Sequence, residues 1–265
     1  MRFGIGISGD KINLSYNSID VFADDGIDFT SGNTTISFNS VTNHYGRIAD
    51  GNHNDGIQGW ALDGITRENL TVDANVVVES TGSYSFIPAL PTATDPDYIQ
   101  GISIFDGAWD NVAFTNNVVA VSAYHGMGLY GFSNAIIANN TVVKLSSSSS
   151  INPWLGVFNS KGGTPPSNVI VRNNIANMFN LATTGVTDDH NLSLRSYNVW
   201  SHSATDSVAS DPSSIFVSYN PASGVYDLRL KSGSAAINAG SPAAAPNHDV
   251  LGKTRTQFDE GAYSF

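Results

Sequence analysis

The sequence predicts an all-β protein wound as a right-handed parallel β-helix, and three observations point there. An alternating apolar run that ends on a polar step recurs along most of the chain. A second set of short strands, led by glycines, falls between the copies of that run. Charged residues make up 13%, about half the usual share, and helix formers are scarce. Hydrophobic residues nevertheless reach 41%, placed regularly enough to argue against a disordered chain.

The first recurring unit appears as Ile12-Asn-Leu-Ser-Tyr-Asn-Ser18 and as Ile36-Ser-Phe-Asn-Ser40. It returns as Leu70-Thr-Val-Asp-Ala-Asn75, Val112-Ala-Phe-Thr-Asn-Asn117, Ala135-Ile-Ile-Ala-Asn-Asn140 and Val169-Ile-Val-Arg-Asn-Asn174. Taking the last polar residue as the marker gives 18, 40, 75, 117, 140 and 174, in steps of 22, 35, 42, 23 and 34. The short steps set a coil of 22–23 residues, and the longer ones are that coil plus insertions. An irregular period with a constant polar marker suits a solenoid in which equivalent side chains stack about 4.8 Å apart. Stacked asparagine amides can then satisfy one another along the column. About six coils are expected over residues 1–184.

The glycine-led strands are Asp25-Gly-Ile-Asp-Phe29, Asp55-Gly-Ile-Gln-Gly-Trp60, Gln100-Gly-Ile-Ser-Ile-Phe105, His125-Gly-Met-Gly-Leu-Tyr130 and Leu155-Gly-Val-Phe-Asn159. Aligned on the glycine, they send Ile27, Ile57, Ile102, Met127 and Val157 inward. Alternation turns Asp28, Gln58, Ser103, Gly128 and Phe158 outward. Insertions at 42–54, 80–99 and 145–154 all fall between a marked strand and the next glycine-led strand. Repeat insertions at one turn gather on one face, where ligands often bind. Loops walling a groove, with the glycine-led strands as its floor, are therefore expected.

Residues 185–265 lose the repeat. They are expected to hold the last coils and a capping segment, with Val225-Tyr-Asp-Leu-Arg-Leu230 as a final strand and the remainder covering an open end of the solenoid. The strand-like Phe3-Gly-Ile-Gly-Ile7 follows Met1 almost at once, and no leader segment is read there. An uncovered first coil invites end-to-end pairing with another chain.

Twelve basic and 23 acidic residues give a formal charge of −11, which argues against nucleic acid as a partner. No apolar run approaches the roughly 18 residues of a membrane helix. The chain has no cysteine, which removes disulfides and thiolate metal sites.

The Asn-Asn steps and the tail from Tyr226-Asp-Leu-Arg-Leu230 through Gly233-Ser-Ala-Ala-Ile-Asn-Ala-Gly240 to Glu260-Gly-Ala-Tyr263 resemble the pectate-lyase-like superfamily. The resemblance implies a secreted or cell-surface protein acting on an acidic polysaccharide: a lyase first, with hydrolase or uronate epimerase as alternatives. A non-catalytic carbohydrate-binding or adhesive module is the third reading. Asn54-Asp55-Gly56 and Tyr124-His125-Gly126 are only partial echoes of the pectin-hydrolase motifs, and no Arg-Xaa-Lys follows.

β-Elimination needs a base, an acid and a group that neutralises the uronate carboxylate. His125 and Lys161 are the candidate bases, and Tyr124, with Tyr130 as an alternative, the candidate acid. Asp106 joins Asp55 as a carboxylate pair for hydrolysis. Asp25, Asp28 and Asp55 would lie on adjoining coils, spaced to share a Ca²⁺ ion or to raise one another's pKa. His53, Gln58, Trp60, Gln100, Phe105 and Tyr130 line the same floor as candidate sugar contacts, the aromatic ones by stacking.

Overall fold

The computed structural model describes residues 4–46, 54–81, 98–145, 151–195, 203–220 and 225–265. Three parallel sheets run side by side, each built from every third strand of the chain, as in a right-handed parallel β-helix. The first sheet stacks Ile5–Ile7, Ile27–Phe29, Asp55–Trp60, Gln100–Asp106, His125–Tyr130, Trp154–Phe158 and Met178–Leu181. The second has seven strands, from Ile12–Ser15 to Val186–Asp189, and the third has eight, from Ser18–Phe22 to Ser207–Val208. The coils thus continue past the last marker read from the sequence.

Parallel register stacks like on like inside. Ile5, Ile27, Ile57, Ile102, Met127, Leu155 and Phe179 form one inward column of the first sheet. Leu14, Ile36, Val72, Phe114, Ile137 and Val171 form another from the second sheet. The fifth glycine-led strand is displaced by two residues from the sequence alignment: Leu155 follows Met127, and Gly156 rather than Phe158 follows Gly128. The strand has a bulge near its start, so the residue beside His125 is Trp154. Glycine was a misleading anchor there because two glycines, Gly126 and Gly128, precede it one coil earlier.

The stacked amides are present, and they correct the marker. The column is Asn17, Asn39, Asn75, Asn117, Asn140, Asn174 and Asn191, one residue earlier than Ser18 and Ser40 in the first two coils. Each Oδ1 from Asn39 onward accepts both the backbone N–H and the Nδ2 of the asparagine one coil before, at 2.9–3.0 Å. The residue before each asparagine is left-handed, including Tyr16 (φ 59°), Phe38 (φ 54°) and Asn116 (φ 55°). That kink turns the chain from the second sheet into the third.

Strands such as Val76-Val-Val78 and Val118-Val-Ala-Val121 are apolar at every position because the third sheet is covered on both faces. Its outer face packs under Ile215, Phe216, Leu228, Leu230 and Val250. Val225–Leu230 does not extend the solenoid; it pairs antiparallel with Phe216–Asn220. The chain beyond it lies along the flank rather than over an end. Asn173 Nδ2 donates to Ser241 O, Asn139 Nδ2 to Asp259 O, Arg255 to Asn116 Oδ1, and His248 meets Asp73. The physical reason is burial: the outer face of the third sheet carries Val76, Val78, Val118 and Ala120, apolar surface that this segment takes out of water.

Candidate functional site

The outer face of the first sheet gathers nearly all the candidate residues. His53 lies outside the described residues, as do most of the first two insertions and half of the third, so the expected groove walls are not part of this geometry.

The early coils form an acidic end. Asp25 Oδ1 accepts the backbone N–H of Asp55 at 2.8 Å, and Asp55 Oδ2 accepts Gln58 Nε2 at 2.8 Å. Asp25 and Asp55 are buried, and Asp28 is half-buried. Burial, then the charge of Asp28, pushes the Asp25 carboxyl up to about 8. Burial, then Asp55 and Asp24, pushes Asp28 up to about 6. Every charged neighbour acting on these two groups is another carboxylate. One oxygen each of Asp25 and Asp55 is already engaged, and among the described residues no set of three or more His, Asp or Glu side chains is arranged to hold a metal ion. Close carboxyls of like charge each raise the pKa of the others.

The middle coils are aromatic. Phe105, Tyr130 and Phe158 run as a ladder with ring centroids 5.1 and 4.8 Å apart. At the other end of the same strands, His125 is packed by Phe105 (4.8 Å), Tyr124 (5.2 Å) and Trp154 (5.2 Å). Tyr124 is 49% exposed and stacks on Trp154. The two rows converge over Gly128 and Gly156. A Cβ on Gly128 would lie 2.6 Å from the Phe105 ring, and one on Gly156 would lie 2.3 Å from Phe158 and 2.8 Å from Trp154. Glycine is required at both positions so that the rings can lie over the strand.

Between the two ends a cavity of about 170 Å³ is lined by Gln58, Trp60, Leu62, Phe105 and Asp106. Lys161 Nζ meets both oxygens of Asp106 at 2.8 Å, its side chain 62% exposed. The two residues expected to act separately are thus one surface ion pair. Gln100, a candidate sugar contact, meets His125 Nδ1 through its Oε1 at 2.5 Å. Burial raises the Tyr130 phenol above its usual range, which makes it a poorer acid.

Sequence reasoning missed four residues here. Trp154 and Phe158 were hidden by the two-residue register error. Lys144 ends a strand of the third sheet, and its pKa is lowered by burial and by Arg195 beside it. Arg195 Nη1 approaches Met178 Sδ at 3.7 Å, and Met178 pairs with Trp154. Arg195, with Lys144 near it, thus reaches the strand that pairs with the one carrying Trp154.

No family model matches the sequence, and no curated protein matches it. Among solved structures, the chain is similar to the crystal structure of pectate lyase Pel9A, with a TM-score of 0.41 and 15% identity. The match covers 99% of this chain and 73% of that one.

Proposed function

We propose that this protein binds a polysaccharide along the outer face of the first sheet and cleaves it by carboxyl chemistry. The observation that carries the reading is the pairing, on one face, of two carboxyls with separated pKa values and an aromatic tract, with a small cavity between them. Carboxyls whose environments push their pKa values apart divide into an acid and a base. Asp25, protonated at neutral pH, supplies the proton for the leaving glycosidic oxygen. Asp28, ionised above about 6, activates water or attacks the sugar carbon. Asp55 holds Asp25 through its backbone N–H. Phe105, Tyr130, Phe158, Tyr124 and Trp154 supply apolar faces for neighbouring sugars.

A second reading is β-elimination of a uronate with His125 as base. Arg195 at Met178, on the strand next to Trp154, and Lys144 near it favour it, since a uronate carboxylate needs cations. One assay separates the two. Neutral and uronate polymers are incubated with the protein while reducing ends and the ultraviolet absorbance of unsaturated uronates are followed. Reducing ends without absorbance, lost in Asp28→Asn, are expected. Absorbance lost in His125→Ala would replace hydrolysis with elimination, and binding without either product would leave a carbohydrate-binding module. Action on a polysaccharide fits a secreted or cell-surface protein.

A further inference from the structure

We infer that Gln100 is a positioning residue that sets the tautomer of His125, keeping the proton on Nδ1 and the lone pair on Nε2. This rests on the reading that a glycan occupies the first-sheet face, but its central claim is testable without substrate. The two side chains leave adjacent strands of the first sheet, Gln100–Asp106 and His125–Tyr130. Gln100 Oε1 lies 2.5 Å from His125 Nδ1. An amide oxygen can only accept, so the shared proton belongs to the imidazole. With Nδ1 donating, the neutral ring has one remaining lone pair, on Nε2.

The ring is also prevented from turning over. Phe105 packs against it at 4.8 Å, and Tyr124 and Trp154 meet it edge-on at 5.2 Å. The same rings lower the local dielectric, which strengthens the Gln100–His125 bond. Gln100 itself is half-buried at the start of its strand, opposite Asp55 in register. A glutamine there adds no charge beside the imidazole, whereas a carboxylate would favour its cation. Nε2 can then accept a hydrogen bond from a sugar hydroxyl in hydrolysis, or take a proton in elimination. Both readings of the site use the same nitrogen.

The test is ¹⁵N spectroscopy of the full chain labelled at histidine, with His125 assigned by its loss in His125→Ala. Wild type is expected to show the Nδ1–H form. Gln100→Leu is expected to shift the ring toward the other tautomer, and Gln100→Glu to keep Nδ1–H while raising the pH at which the ring titrates. On a glycan that wild type cleaves, Gln100→Leu should lower kcat/KM by about tenfold or more, through KM where Nε2 holds a sugar hydroxyl and through kcat where it takes the proton. Gln100→Glu should keep more of kcat/KM and move the acid limb of the pH profile. A wild-type proton on Nε2, a Gln100→Leu spectrum identical to wild type, or full turnover in Gln100→Leu would each overturn the inference. The expected spectra with no glycan bound to wild type would support the positioning role and overturn the function proposed for the face.

Discussion

Asn191 donates its backbone N–H and its Nδ2 to a single oxygen of Asp206, at 2.7 and 3.2 Å. Every earlier asparagine of the column donates to another asparagine, so Asp206 is where the amide ladder ends. A carboxylate can receive the last pair of hydrogen bonds but has no N–H to pass on. Its other oxygen accepts Ser203 N–H, which Asp188 also approaches at 3.3 Å. Burial and the neighbouring Asp188 push Asp206 up to about 6.

Asp206→Asn is therefore expected to stabilise the protein above pH 6. The amide keeps the acceptor for Asn191, adds a donor toward Asp188 and removes one of two adjacent negative charges; Ser203 N–H loses its Asp206 acceptor but keeps Asp188 Oδ2 at 3.3 Å. Thermal unfolding at pH 8 should show a higher Tm than wild type, a smaller gain at pH 5, and little difference below about pH 4. A lower Tm at pH 8 would mean that the ladder needs a charged terminus.

Stability should fall as pH rises from about 4 to about 9. Asp25, Asp28, Asp206 and Glu260 have raised carboxyl pKa values, about 8, 6, 6 and 9, with burial as the first cause in each. Between the ordinary carboxylate pKa and the folded value, the folded state holds the proton and the unfolded state does not, so each pH unit favours unfolding. Asp189 works the other way: Arg172 and His190 outweigh its burial and hold it low, a contribution lost only in acid. Denaturant midpoints across this range would check the slope, and a maximum at pH 8 or above would contradict it.

Catalysis by the Asp25–Asp28 pair predicts a bell-shaped profile for kcat/KM, with limbs near 6 and 8. Asp28 must have lost its proton and Asp25 must have kept its own. Asp25→Asn should remove the alkaline limb along with most of the activity. Rates rising steadily past pH 9 would exclude these roles.

Asn117→Ala should cost about 3 kcal/mol, because it leaves Asn75 without its acceptor and the Val72 carbonyl without its donor. Urea unfolding measures it. A loss under about 1 kcal/mol would show that water replaces these bonds readily.

Gly156→Ala should displace Phe158 and Trp154 and cost about 1–3 kcal/mol through overpacking. Glycan affinity should fall with it. Gly163→Ala is a useful contrast: a Cβ there meets open space, although its φ of 84° adds backbone strain. Unchanged affinity in Gly156→Ala would remove the aromatic tract from the binding face.

The winding itself was legible in the amino-acid order. A solenoid repeats its contacts, so Ile27, Ile57, Ile102 and Met127 declare one inward column however long the insertions between them. The acids at 25, 28 and 55 were likewise readable as neighbours, because one coil separates the strands that carry them. Other relationships depended on bulges and on distant packing, which no spacing rule encodes. The bulge before Met127 placed Trp154 beside His125 and Phe158 over Gly156. Asp106 and Lys161 are 55 residues apart, yet side-chain reach across coils makes them an ion pair. The C-terminal segment took the flank because the third sheet presents valines outward as well as inward. Sequence periodicity thus determined which residues share a column. Tertiary packing decided which columns touch, because side-chain volume, local register and competition for apolar surface are settled only when all the coils are in place.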